Sequence, residues 1–126
     1  MDRTNWSGTL GEGVENVIGN IFDGNTGSDI AANSAPWEFT LDLGAETTML
    51  GANTRHWESG YAPRSIEVLT SPDNATWKSH GTLAVSGGTQ NWRFLKPVTA
   101  RYLRYRVMSP NGRTDVTEFN IYVAKQ

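Results

Sequence analysis

The chain has 126 residues, of which 11 are basic and 13 acidic, giving a formal net charge of −2, and it contains no cysteine. So balanced a charge argues against nucleic acid or an anionic membrane surface as partner, and the missing cysteines exclude disulfides and thiolate metal sites. No apolar run reaches membrane-spanning length, so no membrane insertion is expected, and Met1-Asp2-Arg3-Thr4 does not read as a signal peptide.

This length suits one domain over residues 1–126, able to bury roughly two-thirds of its unfolded surface. Residues 1–20 are rich in Gly, Asn and Glu, with Trp6, Leu10, Val14, Val17 and Ile18 as scattered apolar anchors. Ile21 to Ser28 is an oxygen-rich loop built on the turn dipeptide Asp23-Gly24, and Asp29 to Pro36 reads as coil. From Trp37 to Leu43 the alternation is strict: Trp37, Phe39, Leu41 and Leu43 on one face, Glu38, Thr40 and Asp42 on the other. That is the pattern of a half-buried antiparallel strand. Gly44-Ala45-Glu46 predicts a turn into a second strand near Thr48–His56.

Trp57 to Pro63 reads as a loop, Ser65–Thr70 as a strand, and Ser71-Pro72-Asp73-Asn74 as a turn with Pro at its preferred early position. Trp77–His80 and Thr82–Val85 flank Gly81 as short strands; Thr89–Leu95 and Arg101–Met108 follow, separated at Pro97. Ser109 to Arg113 is a Pro/Gly loop, and Val116–Val123 closes the chain with Phe119, Ile121 and Val123 on one face. About eight short strands with no long helical pattern predict an all-β antiparallel sandwich or barrel. Trp6, Trp37, Trp77 and Trp92 are expected in packing positions. Arg101, Arg104 and Arg106 are expected to form a salt-bridged face with Glu38, Asp42, Glu67 and Glu118.

The Asp23 loop offers a carboxylate, an amide, hydroxyls and free carbonyls. A hard cation such as Ca²⁺ takes about 6–8 oxygens, more than this loop holds, so a second carboxylate would have to arrive from elsewhere. The competing reading is a polar turn in which Asp and Asn bond their own backbone.

Several fragments in order carry a resemblance: Phe22-Asp23-Gly24-Asn25, Trp37 with Asp42-Leu43-Gly44, and Ser71-Pro72-Asp73-Asn74-Ala75-Thr76-Trp77. Phe94 to Arg104 and Thr117 to Tyr122 complete the series. Over residues 6–123 the chain resembles the discoidin-like, or coagulation factor V/VIII type C, family, which includes the family 32 carbohydrate-binding modules. The resemblance implies a jelly-roll β-sandwich of about eight strands with ligands docking in loops at one end. It also implies a structural Ca²⁺, with Asp23, Asn25, Ser28 and Glu118 falling on the family's metal positions. Ser28 replaces the usual Thr, and Ile30 stands where Trp is common. The galactose pattern is absent, because the 29–36 loop has no His and no aromatic residue, and Gly60 stands where the family has Asn.

A neutral sugar needs an aromatic face for its C–H groups and fixed polar groups for its hydroxyls. Arg55, His56, Trp57 and Tyr61 supply these in one loop, and Asn33, Asn111 and Arg113 join them if the loops cluster. No catalytic constellation stands out, since His56 and His80 are isolated and no phosphate-binding Gly loop is present. The expectation is therefore a non-catalytic carbohydrate-binding module, extracellular or on a cell surface, within a larger multidomain chain. The alternative is a protein-interaction or adhesion module on the same fold.

Overall fold

Trp37, Phe39, Leu41 and Leu43 are all buried in the computed structural model, which describes residues 1–25 and 27–123. Alternation at period two puts them on one face of a strand, as their spacing requires. The described residues form eight strands, paired antiparallel throughout. They are β1 (Ser7–Leu10), β2 (Ile30–Ala32), β3 (Trp37–Arg55), β4 (Ser65–Ser71), β5 (Lys78–Ala84), β6 (Thr89–Ser109), β7 (Thr114–Val116) and β8 (Glu118–Val123).

The two longest strands each serve both layers of the sandwich. Residues 37–42 of β3 lie between β1 and residues 102–107 of β6, with β4 and then β5 beyond. Residues 47–55 of β3 lie between β8 and residues 89–100 of β6. This is a jelly-roll β-sandwich, with β2 and β7 forming a separate two-stranded pair. Phe119 on β8 joins the layers: its ring lies 5.6 Å from Phe39 and 5.7 Å from Tyr105, both edge-on. Trp6 and Trp92 approach the same ring at 6.4 and 6.5 Å.

Several predicted boundaries are corrected. The two strands expected on either side of Gly44-Ala45-Glu46 are one bent strand, because both halves pair with β6. Gly44 takes the bend at φ 81°, where a Cβ would meet the Asn5 carbonyl oxygen at 2.8 Å. Pro97 likewise does not end a strand. Residues 94–97 of β6 bulge out between Met49↔Val98 and Gly51↔Arg93, so the ladder asks no N–H of the proline. Gly81 sits inside β5 rather than between two strands. β1 and β2 were hidden, β2 because all three of its residues are buried and show no alternation.

Trp6, Trp37 and Trp92 are core residues, whereas Trp77 is half-buried with the Arg104 guanidinium 4.1 Å over its ring. The arginine face has its partners: Arg101 forks onto Asp42 at 2.9 and 3.0 Å, Arg104 reaches Glu38 at 2.9 Å, and Arg106 bridges Glu38 and Glu67. Glu118 takes no part and pairs with Arg3 instead.

Phe119→Ala would remove the ring on which both layers close. It should destabilise the domain by about 3–5 kcal/mol, the usual range for a buried aromatic, read as a lowered midpoint in guanidinium unfolding.

Candidate functional site

The β2–β7 pair organises one end of the sandwich. Ala31 stands opposite Asp115 and Ala32 opposite Thr114, so the 33–36 loop and the 109–113 loop leave the pair side by side. Trp37 Nε1 donates to Thr114 Oγ1 at 2.7 Å inside the core, fixing β7 to the start of β3. At the other end of β3, the Thr117 N–H donates to the Arg55 carbonyl at 2.7 Å, bringing the 55–63 loop to the same place.

Asp115 is the anchor here. Its side chain is 5% exposed, and both carboxylate oxygens accept from the Trp57 N–H, at 3.1 and 3.3 Å. Burial pushes its pKa up to about 7; the Trp57 N–H opposes that shift, and the neighbouring Asp29 carboxylate adds to it. The His56 ring is fully buried beneath, with Nδ1–H donating to the Asp115 carbonyl at 2.5 Å and Nε2 accepting from Thr54 Oγ1 at 3.0 Å. Desolvation lowers the His56 pKa, so the ring is neutral and serves to hold the backbone.

Above this support Trp57 is 63% exposed, and Tyr61, in a short 3-10 turn (Ser59–Tyr61), is 36% exposed. An open cleft of about 310 Å³ lies beside Trp57, lined by Arg55, His56, Gly88, Thr89 and Thr117. Arg55 is exposed and has no ion-pair partner among the described residues. Arg113 Nη1 donates to Asn33 Oδ1 at 2.8 Å and to Glu15 Oε2 at 2.5 Å, joining the first and last loops.

Of the ligand residues expected from the sequence, Asn33 and Arg113 are in contact, and Arg55 and Trp57 share one cleft with Tyr61 on the next turn. His56 turns inward, so its ring is a support for the site, not an exposed contact. Asn111 is exposed and makes no hydrogen bond to the other loops among the described residues. Sequence reasoning missed Asp115, Asp29 and Glu15. The one available signal was an acid in the run Thr114-Asp115-Val116, which forms a strand buried at every position.

The Asp23 loop gathers several hard oxygen donors. Asp23 Oδ1 accepts from the Asn25 N–H, while Ser28 Oγ lies 2.8 Å from Asp23 Oδ2 and 3.1 Å from the Asn25 carbonyl oxygen. Glu118 Oε1 is buried with no hydrogen-bond partner among the described residues, an unusual condition for a carboxylate oxygen. Ile21, two residues before Asp23, is tied to Glu118 through the Arg3 side chain. The Ser28 spacings are those of hydrogen bonds that its hydroxyl donates, as in a self-bonded polar turn. The orphaned Glu118 oxygen and the hard oxygen donors of the loop are the features that fit a cation of the Ca²⁺ type. No group of three or more acidic, His or Cys side chains gathers among the described residues, so carbonyls and the Ser28 hydroxyl would have to complete the shell.

The F5/8 type C domain model matches residues 4–120. An F5/8 type C domain from Bacteroides fragilis has a similar structure at TM-score 0.84 and 19% identity, covering 100% of this chain and 96% of that one. A family 32 module from Clostridium perfringens, CpGH89CBM32-5, in complex with GalNAc-beta-1,3-galactose, is similar at TM-score 0.81 and 16% identity, over 96% of this chain and 97% of that one. The family 32 module of AlyQ, in complex with 4,5-unsaturated mannuronic acid, is similar at TM-score 0.71 and 24% identity, over 98% and 97% of the two chains. No curated protein matches the sequence.

Asp115 has a folded-state pKa above its ordinary value of 3.8, so the native state holds this proton more tightly than the unfolded chain. Its contribution to stability is therefore lost as pH rises from about 4 to about 7. His56 works the other way below pH 6.5, since its folded pKa is lowered. Asp115→Asn keeps an acceptor for the Trp57 N–H and removes the first effect. Relative to the parent, its melting temperature should rise by a few degrees between pH 5 and pH 8.

Proposed function

Because the chain belongs to the F5/8 type C domain family, we propose that it is a non-catalytic carbohydrate-binding module whose ligand face is the loop end around Trp57. The observation that carries this reading is an exposed indole whose backbone N–H is pinned to a buried carboxylate, beside a cleft lined by Thr89 and by Arg55, whose guanidinium has no ion-pair partner among the described residues. With its backbone fixed in this way and its ring exposed, Trp57 presents an aromatic face on which the C–H groups of a sugar can stack. Arg55, Thr89, Asn33 and Arg113 are within the same loop cluster to bond hydroxyls or an acidic group. The sugars held by the two structurally similar modules support this ligand class.

A structural Ca²⁺ is part of the proposal. Asp23, the Asn25 carbonyl, Ser28 and Glu118 would hold it, and when bound it would link the first loop to the last strand. The setting proposed is an extracellular or cell-surface protein in which this domain delivers a larger multidomain chain to a glycan.

Trp57→Ala tests the ligand face. A stacked aromatic contact is worth on the order of 1 kcal/mol beyond its area burial, so glycan affinity should fall severalfold while the melting temperature stays near that of the parent. Binding would be found on a glycan array and quantified by calorimetry. A large loss of stability would assign Trp57 to the scaffold. A silent array combined with specific capture of a protein partner would favour the adhesion reading instead.

A further inference from the structure

The Arg3 guanidinium lies against Glu118, the distant carboxylate that a metal at the Asp23 loop would need. Its Nη1 is 2.5 Å from Glu118 Oε2, 3.1 Å from the Phe119 carbonyl oxygen and 3.4 Å from the Ile21 carbonyl oxygen. The two side chains are only 20% and 11% exposed, so solvent screens the pair weakly. The position of Arg3 is itself held: its carbonyl accepts from the Trp6 N–H at 3.1 Å, and the buried Trp6 ring packs on Phe119.

One cation therefore already links the first residues, the Ile21 turn and the last strand. It uses one oxygen of Glu118 and leaves the other, Oε1, buried and without a hydrogen-bond partner among the described residues. From this we infer that Arg3 is a built-in cation that shares Glu118 with the metal, taking over part of the metal's tie and weakening Ca²⁺ binding. The inference rests on the calcium reading given above. Two carboxylates, Asp23 and Glu118, supply the negative charge of that site, and Arg3 cancels half of it. Affinity for Ca²⁺ is set largely by the charge count of the ligands, and an adjacent like charge in a poorly screened position opposes a second cation. A domain built this way keeps its fold without calcium and responds to it only at high concentration.

The parent domain, Arg3→Gln and Arg3→Lys are compared by thermal melting in EDTA and in rising CaCl₂, with calorimetric titration of CaCl₂ alongside. In EDTA, Arg3→Gln should melt below the parent, because the internal tie is gone. Added CaCl₂ should then raise its melting temperature more than the parent's, with a calcium midpoint at least severalfold lower. If Arg3→Gln is unfolded in EDTA and folds on adding CaCl₂, that is the same result at its limit. Arg3→Lys keeps the charge and should keep the parent's weak calcium midpoint. A midpoint in Arg3→Gln equal to or higher than the parent's would overturn the inference while leaving the calcium site standing. Equal tightening in Arg3→Lys would overturn the charge argument. Calcium binding to none of the three, by melting or by heat, would overturn both the inference and the calcium reading.

Discussion

The constraint on which the molecule depends is the continuous pairing of β3 with β6. These two strands pass from one layer of the sandwich to the other while remaining hydrogen-bonded to each other, so each layer is built outward from the same pair. β8 can then place Phe119 against Phe39 and Tyr105 from the opposite layer, and the core closes on that aromatic group. The crossing requires places where the ladder gives way. Gly44 supplies one through its positive φ. A second lies at Gly51, where a Cβ would stand 2.0 Å from the Trp92 carbonyl oxygen, leaving no room for any other residue without moving the partner strand.

The loop end around Trp57 is anchored to this frame. Arg55 is the last residue of β3, so the loop that follows starts from a strand hydrogen-bonded on both sides. His56 then locks the β7 backbone from beneath, and Asp115 fixes the amide of Trp57 from the side. The backbone that carries the Trp57 ring is thereby ordered before any ligand arrives, which removes part of a cost that binding would otherwise carry. The same arrangement makes the site sensitive to protons, because the supporting carboxylate is buried next to a second one.

Charge is distributed with equal economy. Arg101, Arg104 and Arg106 are neutralised on the sheet face by Asp42, Glu38 and Glu67, while Arg3 is neutralised by Glu118. The exposed pairs on the sheet face contribute little stability individually, unlike the largely buried Arg3–Glu118 pair, yet all of them decide where positive charge remains available. Arg55, Arg64 and Arg93 are exposed and without such a partner among the described residues, whereas Arg113 is paired with Glu15.

The strict alternation at Trp37–Leu43, the turn at Ser71-Pro72-Asp73-Asn74 and the ordered family fragments by themselves determined an antiparallel β-sandwich and its central strand. These are local patterns: period two, turn chemistry and residue order survive in one dimension. Tertiary structure alone decided that β3 and β6 are single bent strands, since a bend and a break look alike until the partner strand is known. It alone turned His56 inward, because burial depends on which chain lies beneath a residue, here the Asp115 backbone 59 positions away. It also paired Glu118 with Arg3, 115 positions apart, for the same reason: an ion pair across the whole chain leaves no trace in the spacing of either residue.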